Sequence, residues 1–221
     1  MSSVDEAATF NTLNDDSKMD VLTPALTSKP WIAALLADPT WTHMPTKSRS
    51  PKPTGEDSFV AETLMTERTV RAVITFRPSK QEEEEEDVHS NGGMASYKEI
   101  KSVVDLGTGL NGYPQIVHGG VAATLLDETC GILVIANADR KVEREREAGR
   151  DSVAPSYFTA YLNTTYKRPV PTPGPLLCTA KIQPRDGADD RKVFVRATIE
   201  DGEGLVYTVG EALFVKATAK L

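Results

Sequence analysis

The sequence predicts an α+β domain in which an antiparallel sheet packs on one long helix. Three observations carry that expectation. Residues 120–137 make one apolar stretch of helical length, opened by Gly119-Gly120. Strand-like runs follow it at Tyr157–Tyr166, Leu176–Gln183, Lys192–Glu200 and Leu205–Lys216. Turn signals separate them: Pro171-Thr172-Pro173-Gly174, Arg185-Asp186-Gly187 and Asp201-Gly202. Consecutive strands joined by such short turns lie antiparallel, and an apolar helix must bury itself against them.

The remaining elements follow in order. Residues 1–55 read as a polar N-terminal extension, partly disordered, with one short helix. Trp31-Ile32-Ala33-Ala34-Leu35-Leu36 supplies that helix, after Ser28 and Pro30. Pro45, Pro51 and Pro53 mark extended linker. The domain proper is expected over 56–216. Val70, Ala72, Ile74 and Phe76 share a period-two phase, as in a first strand. Residues 80–96 contain an acidic run from Glu82 to Asp87 and read as a disordered loop insertion. Tyr97 to Leu106 resumes strand character, and 107–120 is rich in glycine. Asp139 to Asp151 is charged and helical in pattern, a solvated extension of the long helix. Residues 217–221 form a tail.

Composition excludes several function classes. The chain has 221 residues, enough for one domain with appendages, and a net charge of −7 with pI about 5.1. Nucleic-acid binding needs a basic footprint, so it is not expected. No uninterrupted apolar run reaches the length of a bilayer span, and none is expected. Cys130 and Cys178 read as buried thiols rather than a disulfide framework. The only histidines are His43, His89 and His118, too scattered for a histidine-rich metal site. The chain ends Ala219-Lys220-Leu221, a variant of the Ser-Lys-Leu peroxisomal address. A peroxisomal location is therefore expected, with the cytoplasm as the alternative.

Gly107-Thr108-Gly109-Leu110-Asn111-Gly112 is literally a dinucleotide-binding pattern. The chemistry needs the third glycine inside a helix and an acid at the end of a second parallel strand. Here Tyr113-Pro114 follows that glycine, and Asp127 lies within the helix. A loop leading to the helix is the expected reading.

The long helix carries the chemical signal. Thr124, Asp127, Glu128 and Gly131 fall at helical spacing and share one face, while Val121, Leu125, Leu126, Ile132 and Leu133 line the others. A carboxylate in an apolar helix costs free energy unless it is paired or used. Removed from solvent it becomes a stronger base, suited to activating water. Asp127 is the candidate, and Glu128 its rival. His118-Gly119-Gly120 precedes the helix, whose N-terminus can hold an oxyanion on backbone N–H groups. His118 is expected to hold the loop so that the Gly119 N–H faces the substrate. In the next strand Thr159, Tyr161, Asn163 and Thr165 point one way and Ala160, Leu162 and Tyr166 the other. A hydroxyl on that strand can orient water.

The spacing His118-Gly119-Gly120…Asp127, followed by Thr159-Ala160-Tyr161-Leu162-Asn163-Thr164-Thr165-Tyr166-Lys167-Arg168-Pro169, resembles the hotdog-fold acyl-CoA thioesterases of the PaaI-like and THEM-type group. The resemblance covers about residues 97–216 apart from loops. It implies a curved antiparallel sheet wrapped around one long central helix. It also implies an acyl-CoA substrate, CoA as leaving group with no retained cofactor, and a homodimer or dimer of dimers with a sheet continuous across two chains. Asp127 of one chain would then meet Thr159 of the other. By position Asp127 matches the family's base or nucleophile, Thr159 its water-positioning hydroxyl and Gly119 its oxyanion-hole N–H. His118, Gly120, Asn111 and Glu128 would line the substrate, with Lys167 and Arg168 near the CoA phosphates. Some relatives carry asparagine where this chain has Gly112, with Asn111 beside it. A non-hydrolytic acyl-CoA or metabolite binder, or a hotdog hydratase or biosynthetic accessory enzyme, are the alternative functions.

Overall fold

A seven-stranded antiparallel sheet organises the chain, in the spatial order β1-β2-β3-β7-β8-β9-β6. The strands are β1 (Trp41–Met44), β2 (Val70–Pro78), β3 (Glu99–Leu106), β6 (Tyr157–Tyr166), β7 (Gly174–Ile182), β8 (Lys192–Glu200) and β9 (Val206–Lys216). The computed structural model describes residues 24–79, 96–185 and 191–217. The acidic run, His89 and the Ala219-Lys220-Leu221 terminus lie outside the described residues. A small separate hairpin, β4 (Asn111–Tyr113) with β5 (Ile116–Val117), sits before the long helix. Among the described residues, three α-helices complete the order: α1 (Pro24–Thr27), α2 (Pro30–Ala37) and α3 (Gly119–Glu147).

One face of the sheet packs on α3, whose contacts run to β3, β6, β7, β8 and β9. Leu125, Leu126, Ile132 and Leu133 enter a core shared with Val104, Leu176, Val195 and Phe214. Burying a side chain of that size stabilises the fold by about 1.5–3 kcal/mol. This is the hotdog arrangement. By length and composition α3 also passes as a bilayer span, but its apolar side chains are spent on the sheet. The charged stretch after 137 simply continues it to Glu147, with Arg144 and Arg146 favourably placed in the last turn. Gly149, at φ 74°, stops it in the left-handed conformation that glycine adopts most readily.

The N-terminal segment is more integrated than a polar extension would be. Ile32 and Leu35 of α2, with Leu26, cover the opposite face of the sheet over Ala72, Ile74, Phe76 and Val103. β1 adds a strand to the edge beyond β2, pairing Trp41 with Pro78 and Met44 with Thr75. The prolines expected to mark linker therefore flank structure on both sides. A second difference concerns phase. A register shift between Val70 and Ala72 sends Val70 into the helix-side core, while Ala72, Ile74 and Phe76 go to the outer one. An extra residue in one strand reverses which face its neighbours occupy.

The glycine-rich loop has a packing explanation. A Cβ on Gly107 or Gly109 would lie 2.6 and 2.5 Å from the Arg68 carbonyl oxygen. Their N–H groups donate to the carbonyls of Thr69 and Arg68. These amides are engaged within the chain rather than arrayed around a phosphate. Cys130 and Cys178 are buried free thiols. Burial pushes both thiols up to about 12.

Candidate active site

The site begins where the hairpin delivers the chain to α3. His118 is extended (φ −60°, ψ 134°) and caps the helix, its Nδ1 accepting the Gly120 N–H at 3.0 Å. Its own N–H donates to the Leu110 carbonyl at 2.9 Å. His118 is thus a structural cap, and the Gly120 amide is consumed by it rather than offered to a substrate. The His118 carbonyl accepts from Val121 and Ala122. Among the described residues, the Gly119 N–H is left without an acceptor at the positive end of a long helix. Gly112 lies against the cap: a Cβ there would stand 3.0 Å from His118 Cα and 3.3 Å from Cδ2. A side chain at 112 would press on this histidine, which would have to give by a few tenths of an ångström. Asn111 is exposed on β4, paired with Val117.

Two turns along α3, Asp127 is half-buried and accepts a hydrogen bond from Thr159 Oγ1 at 2.9 Å. This bond is made within a single chain, not between Asp127 of one chain and Thr159 of another. β6 lies alongside β9 at the end of the sheet and also contacts α3, so one chain brings both groups together. The alternation expected along β6 is also corrected. The register with β9 shifts between Thr159 and Tyr161, since Thr159 pairs with Phe214 but Tyr161 with Leu213. The bulge places Thr159 on the helix side, together with Leu162, which packs on the core, and Tyr166. Thr159 and Tyr161 do not share a face. Bulges commonly re-aim one side chain beside a functional site.

Tyr166, at the end of β6, donates from its hydroxyl to the Gly119 carbonyl at 2.8 Å. Sequence reasoning assigned this residue no role. Lys167 and Arg168 follow at once and are exposed; the Arg168 guanidinium donates to the Val206 carbonyl at 2.9 Å.

Glu128 belongs elsewhere. It accepts from Ser48 Oγ, and Arg49 Nε lies 3.5 Å from the same oxygen. Arg49 is 4% exposed and also donates to the Val60 carbonyl. Lys47 forms an ion pair with Asp139 at 2.7 Å, and Thr46 bonds to Thr75 in the core. Residues 46–49 thus strap α3 on the flank away from β6. Glu128 is an anchor of that strap, not a free substrate ligand. Thr124 returns its hydroxyl to the Gly120 carbonyl. The polar stripe expected on one face is therefore divided: adjacent residues lie about 100° apart on a helix, and Asp127 and Glu128 turn to opposite flanks.

A family model described as thioesterase superfamily matches residues 114–207, the segment that holds His118, Gly119, Asp127, Thr159 and Tyr166. Over 120 residues the chain is 35% identical to the acyl-coenzyme A thioesterase THEM4 of Mus musculus, covering 54% of this chain and 44% of that protein. The Rattus norvegicus protein of the same name is 31% identical over the same coverage. The chain spans less than half the length of these curated relatives. Among solved structures, a thioesterase superfamily protein aligns at 27% identity and TM-score 0.43, covering 65% of this chain and 53% of that one. A Bacillus halodurans protein crystallised with CoA aligns at 22% identity and TM-score 0.40, covering 55% and 69%. Over residues 114–207, the chain is therefore similar to the thioesterase superfamily.

Proposed function

We propose that this protein hydrolyses acyl-CoA thioesters. The observation that carries the reading is the Thr159–Asp127 hydrogen bond at one end of a short helical span whose other end is the unengaged Gly119 N–H. The names of the mouse and rat relatives support the same substrate class. Asp127 acts as general base. The Thr159 hydroxyl occupies one carboxylate oxygen and orients the other toward water. The base takes a proton from that water, and the water oxygen attacks the thioester carbonyl. Negative charge collects on the carbonyl oxygen, where the Gly119 N–H and the helix N-terminus stabilise it. The C–S bond then breaks, CoA leaves as the thiolate and takes up the proton, and the free acid remains. Lys167 and Arg168 follow Tyr166 and are exposed, and their charge makes them candidates to meet CoA phosphates. The test is CoA release from short, medium, long and aromatic acyl-CoA by the full chain and by Asp127→Asn. The variant should fold and lose hydrolysis; undiminished turnover would overturn the assignment.

The reading extends to assembly. Among the described residues β6 ends the sheet with an unpaired outer edge, and its Phe158 and Tyr161 are exposed. Long apolar edges are normally covered. A second copy pairing β6 with β6 would cover this one, and light scattering of a strictly monomeric protein would refute it.

A further inference from the structure

The peptide unit joining Gly119 to Gly120 is held at both ends. Its N–H donates to His118 Nδ1 at 3.0 Å, and its carbonyl accepts from the Tyr166 hydroxyl at 2.8 Å. The Tyr166 ring also lies against Gly119, with Cζ and the hydroxyl oxygen 3.5 Å from where a Cβ would stand. A helix start frays, and two consecutive glycines fray more readily than other residues. The Gly119 N–H shares a peptide with the His118 carbonyl, which Val121 and Ala122 hold from one side, and the adjoining 119–120 peptide, held by His118 and Tyr166, fixes it from the other. Tyr166 is 54% exposed and contributes little to the core, so its hydroxyl has a local rather than a global effect. Thr159, on the same strand, orients Asp127. β6 therefore supplies the hydroxyl that sets each end of the site.

We propose that Tyr166 is a positioning residue: by holding the 119–120 peptide, its hydroxyl aims the Gly119 N–H at the developing oxyanion. Its effect on rate rests on the thioesterase reading; its effect on the backbone does not. Full-length wild type, Tyr166→Phe and Tyr166→Ala are compared in acyl-CoA turnover and in amide hydrogen exchange at Gly120 followed by NMR. Loss of the hydroxyl should lower kcat about tenfold, less than deletion of an oxyanion donor itself, with KM within about twofold. Gly120 exchange should accelerate about tenfold as its peptide is freed. Phenylalanine should not rescue either property relative to alanine, since the ring remains and only the hydroxyl is gone. Wild-type kcat and exchange in Tyr166→Phe would overturn the proposal. A fall in kcat with unchanged exchange would also overturn it, because the hydroxyl would then act on substrate directly. If wild type releases no CoA from any thioester, the thioesterase reading fails, and the exchange rates alone decide the positioning role.

Discussion

The two flanks of α3 treat carboxylates in different ways. Under the strap of residues 46–49, Glu128 meets a serine hydroxyl and a buried arginine, and Asp139 meets Lys47. Under β6, Asp127 meets one threonine hydroxyl and, among the described residues, no ion-pair partner. A carboxylate beside a guanidinium is neutralised and fixed, which suits it to hold elements together. One that receives a single neutral donor keeps its second oxygen and its charge for a proton. Neighbours in sequence thus divide into an anchor and the proposed base because one helical step turns them to different surroundings.

That contrast is open to direct attack. The largest expected effect is on catalysis: Asp127→Asn should lower kcat by about 10³-fold, the range lost with a general base. Glu128→Gln should leave kcat within about threefold of wild type and lower stability instead, by about 2 kcal/mol, because Arg49 keeps a buried charge without its counterion. Equal catalytic loss in the two variants, measured by CoA release, would erase the distinction. Next in size, Arg49→Ala should reduce unfolding free energy by about 3 kcal/mol in denaturant titrations, since Glu128 is then left poorly solvated. A change under 0.5 kcal/mol, about what a surface substitution costs, would make the strap incidental.

The smallest effect uses the thiols as reporters. The carboxylate of Asp127 raises the Cys130 thiol, and the guanidinium of Arg49 lowers that of Cys178, though burial is the larger cause in both. With both raised to about 12, neither should react with iodoacetamide at pH 8 in the native protein. The folded thiols hold their protons above the value of 9.0 expected when unfolded, so their contribution is complete below pH 9.0 and is lost as pH climbs toward 12. In Arg49→Ala, opening of the strap should expose Cys178 before Cys130, which mass spectrometry of the labelled chain would read. Equal labelling would mean that the flanks loosen together.

Much of the fold was legible because its signals are local. β6 and β8 were readable to the residue from composition and turns, and the apolar stretch of α3 from its length. The small hairpin at Asn111–Val117 and strand β1 were not, since each is short and owes its existence to partners distant in sequence. The residues of the candidate site could be nominated from the sequence, but their arrangement could not. Asp127, Thr159, His118 and Gly119 were all marked, but Tyr166 was placed on the face opposite Thr159. One bulged residue reversed that phase, and nothing in the composition of β6 announces it.

The sequence by itself determined the element order, the buried thiols, the structural role of His118 and the nomination of an α3 carboxylate as the candidate base. These depend on periodicity, helix-start chemistry and the cost of placing charge in an apolar segment, all written in short windows of residues. Only the tertiary structure decided that Asp127 meets Thr159 within one chain, that Glu128 answers to Arg49, and that Tyr166 reaches Gly119. Those outcomes depend on strand register and on contacts spanning 32 to 80 positions along the chain, where a shift of one residue exchanges the face that meets the helix.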